Sequence, residues 1–514
     1  MNRFLSMAIS AMPSLLSLQD RTQFSPTYGC FDREHWQYRK TDVPYASVQG
    51  AVYALSILYK KKFASNVYYG NKRIKEWIIA GLLFLEKIQK KDGSFDEYYP
   101  NEHSYIGTSL TIYPCSESFN LLFDEIEPEQ RARIGKVLRK AADYLSKNHE
   151  PKVINQEAMA CLAIACVNEK FPCYKDVLNK KLSLILRAQN HEGWFPEYEG
   201  CDVGYLSYTI DFLSELYAKT GNSQIPNAID RAVEFISYFL HPNGSAGGEY
   251  TARDTEYLVP SGFAARSTHL SLAILKFIEE SRDLVGLDCL DNRYLPLYVH
   301  QYLKTGMLKG KKAVAKLPFQ MESFEKYFPG AGIYVRKGAN YYLIVGTKKG
   351  GVYRYYSGEK VISDCGYLVN GKKVLCSSYF DDTRSISVEK DSITVNGLFY
   401  RIKPITPSVF KHIILRLISI GLFSKVLREM LKYVLITKKR LVKISFCRVF
   451  YFKAGIKVED SITSENEIRL YRVGKFSFRY IPSAKFFTAQ ELKMPDAKFI
   501  GANRSFRIST TIGP

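Results

Sequence analysis

Four short segments of the chain resemble one another: IQKKDGSFDEYYP (88–100), LSKNHEPKVINQE (145–157), LRAQNHEGWFPEY (186–198) and LHPNGSAGGEY (240–250). Each ends one apolar helical pattern and leads into the next. Their centres lie roughly 40–60 residues apart, the period of a helical-hairpin repeat. Around them, stretches such as IKEWIIAGLLFLEKIQKK, RARIGKVLRKAADYLSKN, VLNKKLSLILRAQ and YTIDFLSELYAK place apolar residues three and four apart. A single hairpin cannot bury its apolar face, so hairpins stack and their equivalent loops emerge together on one face. If the array closes on itself, the four loops surround one cleft.

Beyond about residue 330 the period changes. AGIYVRKGANYYLIVGTKKGGVYRYYSG and SISVEKDSITVNGLFYRIK alternate by two, are rich in β-branched and aromatic residues, and are broken by Gly, Asp and Asn. The expected architecture is an α/α toroid over residues 1–315 followed by an antiparallel β-sandwich over 316–514. A basic helical insertion interrupts the sandwich at about 407–440. Residues 401–460 hold 14 Lys/Arg and 3 Asp/Glu, a net +11. That segment reads either as a helix covering a sheet face with its lysines solvated, or as an amphipathic helix in peripheral contact with anionic lipid.

The formal charge of the whole chain is +21, which favours an anionic partner. No Cys/His finger spacing and no RNP-like strand accompany it, so nucleic acid is excluded in favour of an acidic glycan or a membrane surface. The 10 cysteines are scattered without close-set pairs. They read as buried thiols of a reducing compartment, with no metal site and no cofactor implied. The opening MNRFLSMAISAMPSLLSL has one arginine, an apolar run broken by Pro13 and no small-residue cleavage site. It is expected to be a first helix packed on the domain. The expected location is cytoplasmic, either free or peripheral to the membrane, with a secreted or periplasmic location as the alternative. The sequence leaves the oligomeric state open.

The loops carry the chemistry. The first offers Glu97, Tyr98, Glu102 and His103, and the second Asn155. The third offers Trp194, Glu197, Asp202, Tyr205 and Tyr208, and the fourth Glu249, Tyr250, Arg253 and Glu256. Aromatic rings give platforms for sugar faces, carboxylates and amides bond hydroxyls, and an arginine fork holds a carboxylate. Each has a structural alternative. Trp194 can plug a hairpin end, and Glu97 and Glu197 can bond backbone amides instead of transferring protons. Tyr205 and Tyr208, three apart at a helix start, can divide between cleft and core. Arg253 can pair with Glu249 and Glu256.

EGWFPEYEGCDVGYLSY, NQEAMACLAIA and YYLIVGTKKGGVYRYYSGEKVISDCGYLV resemble segments of the heparinase II/III-like polysaccharide lyases. The resemblance spans about 45–500 as architecture and weak local pattern. It implies a toroid-plus-sandwich fold acting on uronate-containing polysaccharide. It makes Tyr205 the acid or base, and Asn155 a neutraliser of the uronate carboxylate. Arg253 would assist. The family carries a histidine ahead of the Asp-x-Gly turn; KKGGVYRYY has none, and His103 is the substitute. The same residues would serve a uronyl C5-epimerase, whereas a glycoside hydrolase would pair Glu97 with Glu197. A non-catalytic glycan-binding protein of surface polysaccharide biosynthesis is the remaining alternative.

Overall fold

The computed structural model describes residues 2–513 apart from 199, 309–314, 372, 403–405, 421–423, 435–437, 454, 476–491 and 493–496. The helices of the first half are α1 (Arg3–Ser17), α2 (Arg33–Trp36), α3 (Ala51–Lys60), α4 (Lys72–Ile88), α5 (Tyr105–Leu122), α6 (Pro128–Lys147) and α7 (Ile154–Lys170). They continue with α8 (Lys175–Arg187), α9 (Val203–Thr220), α10 (Ile225–Ser237), α11 (Pro260–Arg266), α12 (His269–Glu280) and α13 (Leu295–Met307).

Their packing follows from the distribution of apolar residues. In α7 every residue from Ile154 to Val167 is buried except Gln156, so the helix is enclosed on all sides. In α10 the buried residues include Ile225, Ala228, Ile229, Ala232, Val233 and Ile236, a stripe at three- and four-residue spacing, and Phe235 and Ser237 widen it at the C-terminal end. The enclosed helices form an inner ring in which α3, α5, α7, α9, α11 and α13 touch in succession and α13 returns to α3. The amphipathic helices lie outside: α4 on α3, α6 on α5, α8 on α7, α10 on α9 and α12 on α11.

The first helix completes the outer layer. α1 packs on α13, buries Phe4, Leu5, Ala8, Met12 and Leu15, and sets Phe4 edge-on to Tyr302 at 5.7 Å. The Arg3 guanidinium donates to the Glu279 and Ser281 carbonyls at 2.5 and 2.6 Å.

The repeat has a backbone signature. Gln89 donates to the Gly93 carbonyl and to Val137 on α6, and Gln189 does the same to Gly193 and to Ala228 on α10. Both glycines have positive φ, +97° and +105°, and a Cβ there would collide with the carbonyl of Lys140 or Arg231. Only glycine lets the turn sit that close to the neighbouring helix. The 145–157 loop is built differently, around a buried Glu157 that accepts from Lys181 and Tyr105 at 2.6 Å each.

Antiparallel strands make up the second half. β1 (Phe324–Phe328), β2 (Ile333–Gly338), β3 (Tyr341–Gly346), β4 (Val352–Ser357) and β5 (Lys360–Asp364) form a meander in that order. β6 (Tyr367–Val369), β7 (Val374–Cys376), β8 (Ser385–Glu389), β9 (Ser392–Ile402), β10 (Leu441–Tyr451), β11 (Ile456–Arg472) and β12 (Lys498–Gly513) form the second sheet. There β10 pairs with both β11 and β9, so β9, β10, β11, β6 and β7 run round a closed path instead of lying as an open layer. The first sheet is buried on both faces. Along β3, Tyr342 and Ile344 join the helical core, while Leu343 and Val345 join the core between the sheets.

The insertion joins the paired strands β9 and β10 and carries α14 (Val409–Ile418) and α15 (Ser424–Lys432). α14 has no buried residue, so it does not cover a sheet face. The expected domain boundary at 315/316 falls between α13 and β1, next to residues 309–314, which lie outside the described set.

Toroid and sheet are joined by buried charge. Arg354 on β4 donates to Glu249 at 2.5 and 3.0 Å and to Glu256 at 2.6 Å, all three groups being largely shielded from water. Removing the guanidinium leaves two carboxylates without their main partner in a desolvated site. Arg354→Ala is expected to destabilise the fold by about 3–5 kcal/mol in chemical denaturation, with partial recovery when Glu249→Gln and Glu256→Gln are added.

Candidate functional site

The loop-bearing end of the toroid is organised by Asp202, the residue that caps α9. Its fully buried carboxylate accepts from the Tyr205 amide at 3.0 Å, from the Thr251 hydroxyl at 3.0 Å, and from the Thr255 amide and hydroxyl. One side chain thus caps a helix and ties the 189–202 loop to the 247–259 loop. Gly204 permits this, because a Cβ there would press on the Thr255 side chain.

The tie brings Glu197, Tyr198 and Tyr205 to Arg253. The Arg253 guanidinium lies 4.5 Å from the Tyr198 ring centre and 5.2 Å from that of Tyr205. Its Nε is buried and makes no hydrogen bond among the described residues. The side chain acts electrostatically on Glu197, whose Oε1 accepts from the Asn155 side-chain amide at 2.5 Å. Glu197 bridges to Val153 and Gly200, which fixes it between two loops. Its Oε2 is buried and has no hydrogen-bond partner among the described residues. Asn155, Glu197, Tyr205 and Arg253 therefore meet in one place, drawn from three loops.

The remaining predicted residues divide. Tyr98 faces the same region: its ring lies 5.9 Å from Tyr45, and Arg293 sits 3.8 Å from the Tyr45 ring and 4.6 Å from the Tyr98 ring. Burial raises the Tyr294 pKa, and Tyr98 and Tyr205 add to the effect electrostatically. Glu102 accepts from the Glu97 and Tyr98 amides at 2.9 and 2.8 Å and shapes the first loop. Burial, with Glu97 beside it, pushes Glu102 up to about 7.

Other predicted residues are structural. Glu97 has both oxygens occupied, by the hydroxyls of Ser47 (2.8 Å) and Ser104 (2.7 Å), so it is not placed as a hydrolase carboxylate. His103 is held in its own turn by Ser94 at 2.8 Å and Asp92 at 2.9 Å, bonds that commit its Nδ1 to the loop. Trp194 donates to Glu192, which in turn accepts from the Gly330 and Ala331 amides, so the indole plugs a hairpin end against the sheet domain. Tyr208 packs on Phe212, Tyr257 and Tyr298 within the ring. Tyr250 is buried, with its hydroxyl 2.8 Å from Nε2 of His241. Glu249 and Glu256 bind Arg354, not Arg253, and that corrects the expected cluster around Arg253.

Sequence reasoning missed Tyr45, Tyr198, Arg293 and Tyr294. Arg293 lies between α12 and α13, at the end of the next hairpin in the repeat. The signal that could have found it was the repeat itself, since that loop lacks the glycine-aromatic pattern of its predecessors.

No family model matches the chain, and no curated protein matches it. Among solved structures, the chain shares its fold, a helical toroid followed by antiparallel sheets, with a polysaccharide lyase. It is similar to the chondroitin AC lyase of Streptomyces coelicolor A3, solved with chondroitin sulphate. Identity is 11%, the match covers 92% of this chain and 68% of the other, and the TM-score is 0.53. A heparinase III matches at 11% identity over 90% and 71% of the two chains with a TM-score of 0.45. An unsaturated glucuronyl hydrolase of Streptococcus agalactiae matches at 12% identity over 61% and 81%, with a TM-score of 0.33.

Burial pushes the Glu197 carboxyl up to about 8; Arg253 pulls against this, Asp202 adds to it, and the Asn155 bonds oppose it. The native chain therefore keeps a proton that the unfolded chain releases near 4.5. Between about 4.5 and about 8 the native state binds more protons than the unfolded one, so this group's contribution to stability falls as pH rises. Glu197→Gln, which keeps the shape without the titration, is expected to gain on the parent chain by about 1.4 kcal/mol per pH unit across that window. Thermal unfolding of both chains across that pH range measures the gain; parallel profiles would show a carboxylate already ionised in the fold.

Proposed function

We propose that the chain is a carbohydrate-active enzyme that binds a uronate-containing polysaccharide in this cleft and removes the C5 proton of the uronate. The observation that carries the reading is the convergence of Arg253, Tyr205, Asn155 and Glu197 at the loop-bearing end of the toroid. The fold shared with a chondroitin AC lyase supports the same class of substrate.

Each residue has a role set by its chemistry. A uronate carboxylate facing Arg253 and Asn155 has its charge offset, which stabilises the enolate-like charge formed when the C5 proton leaves. Glu197, protonated near neutral pH, donates a further hydrogen bond from its unpartnered edge. Tyr205 as phenolate takes the C5 proton, its negative charge met by the guanidinium beside its ring. The electron pair of the C5–H bond becomes the C4–C5 double bond, and the C4–O bond breaks. The tyrosine then returns the proton to the leaving oxygen, so the phenolate is regenerated. Arg293, between Tyr45 and Tyr98, offers a second cation with aromatic flanks for the acidic group of a neighbouring sugar.

The test is incubation with a panel of uronate polymers, following the ultraviolet absorbance of unsaturated ends. Tyr205→Phe is expected to lower kcat by about 10²-fold or more. Arg253→Ala is expected to lower kcat and raise KM together. Deuterium uptake at C5 without chain cleavage would replace the lyase reading with epimerisation. Binding of the polymers with neither product would replace it with glycan binding alone.

A further inference from the structure

We propose that α14 and α15 form a docking surface for an anionic lipid bilayer, an inference that does not depend on the chemistry of the cleft. The two helices present their apolar residues to solvent. In α14, Val409 is 78%, Phe410 71%, Ile413 51% and Leu417 64% exposed, and Ile414, Ile418 and the following Ile420 are exposed too. At 3.6 residues per turn the α14 set occupies about half of the helix circumference. Val426 and Met430 continue the exposed face on α15, and Tyr433 and Val434 follow it.

Polar contacts hold the helices to the protein. Arg416 pairs with Asp42 in the segment that leads into α3. On α15, Leu427 is buried and the Arg428 guanidinium reaches the His103 carbonyl at 3.5 Å. A surface helix of a water-soluble domain normally has the opposite orientation, with the apolar stripe inward. An outward apolar stripe on helices held by an ion pair and a carbonyl contact needs an occupant.

Charge identifies it. Residues 406–443 carry nine Lys/Arg, with Glu429 as the sole acid. Anionic headgroups complement that set while the acyl region receives Phe410, Ile413 and Leu417. A second copy of the chain would instead bring two such basic segments together on molecules of net charge +21. No helix among the described residues is long and apolar enough to cross a membrane, so the contact is peripheral. Because Arg416 and Arg428 anchor the helices beside the first toroid loops, docking would set the rim of the cleft at the lipid surface.

The test is co-sedimentation of the full chain with vesicles of phosphatidylcholine alone and of phosphatidylcholine with phosphatidylglycerol. The expected result is binding to the anionic vesicles that weakens as salt is raised. The variant Phe410→Ser/Ile413→Ser/Leu417→Ser changes exposed side chains only, and is expected to lose binding more than about tenfold while keeping the parent's circular dichroism. Phe410→Trp is expected to show fluorescence quenching by brominated lipid. Absence of binding to anionic vesicles at low salt would overturn the proposal. So would concentration-dependent dimerisation, in sedimentation velocity, that the triple variant abolishes.

Discussion

The arrangement of the cleft depends on one buried carboxylate. Asp202 bonds to Thr251 and Thr255, 49 and 53 residues away, while capping the helix that begins with Val203. Without that carboxylate, the loops bearing Glu197 and Arg253 would keep, among the described residues, the bond from the Ala252 amide to the Cys201 carbonyl and that from the Gly204 amide to the Thr255 hydroxyl, besides packing. The cost of burying this polar group is offset by four hydrogen bonds, and such a fully satisfied network specifies one geometry. Arg253 stays over the Tyr198 and Tyr205 rings because its own turn is fixed from below.

A second constraint decides which charges of that turn reach the cleft. Glu249, Asp254 and Glu256 all lie within a few residues of Arg253, and in sequence they look like its partners. The sheet domain takes all three: Arg354 holds Glu249 and Glu256, and Lys349 holds Asp254 at 2.6 Å. Those contacts span 95 to 105 residues, a separation at which local pattern carries no information. With its acidic neighbours claimed from outside, the guanidinium is left to the tyrosines and to Glu197. Charge that reads as one cluster along the chain is divided in space into a structural set and a cleft-facing residue.

The helical half was legible because its signal is local and repeated. Gln89 with Gly93 and Gln189 with Gly193 build the same turn, and hairpin spacing then fixes which loops share an end. A further copy escaped notice. Gln19 donates to Trp77 on α4 and Gly29 takes φ +94° against the Ala80 carbonyl, but ten residues separate the pair instead of four. The packing of α1 on α13 was legible only as a packed first helix, since nothing in its sequence names α13 as the partner. The apolar insertion reads by composition alone as either a buried or a lipid-facing helix. Orientation decides between them, and the ion pair to Asp42, more than 350 residues away, sets it.

The turn between β3 and β4 shows how a departure from a resembled pattern can be structural. Where the heparinase-like lyases carry a histidine, this chain has Lys348 and Lys349, followed by two glycines with positive φ. Lys348 reaches the Gly330 carbonyl at 2.8 Å and Asp382 at 3.0 Å, which ties the turn to the sheet domain. Lys349 is buried with Asp254, the left-handed residue directly after Arg253. A neutral imidazole there would leave the Asp254 carboxylate buried without its cation, a large penalty in a desolvated site. The lysine therefore serves the placement of Arg253. In the proposed reaction the proton is therefore moved by Tyr205, a phenol beside a guanidinium, with Glu197 as a carboxyl that burial keeps protonated near neutral pH.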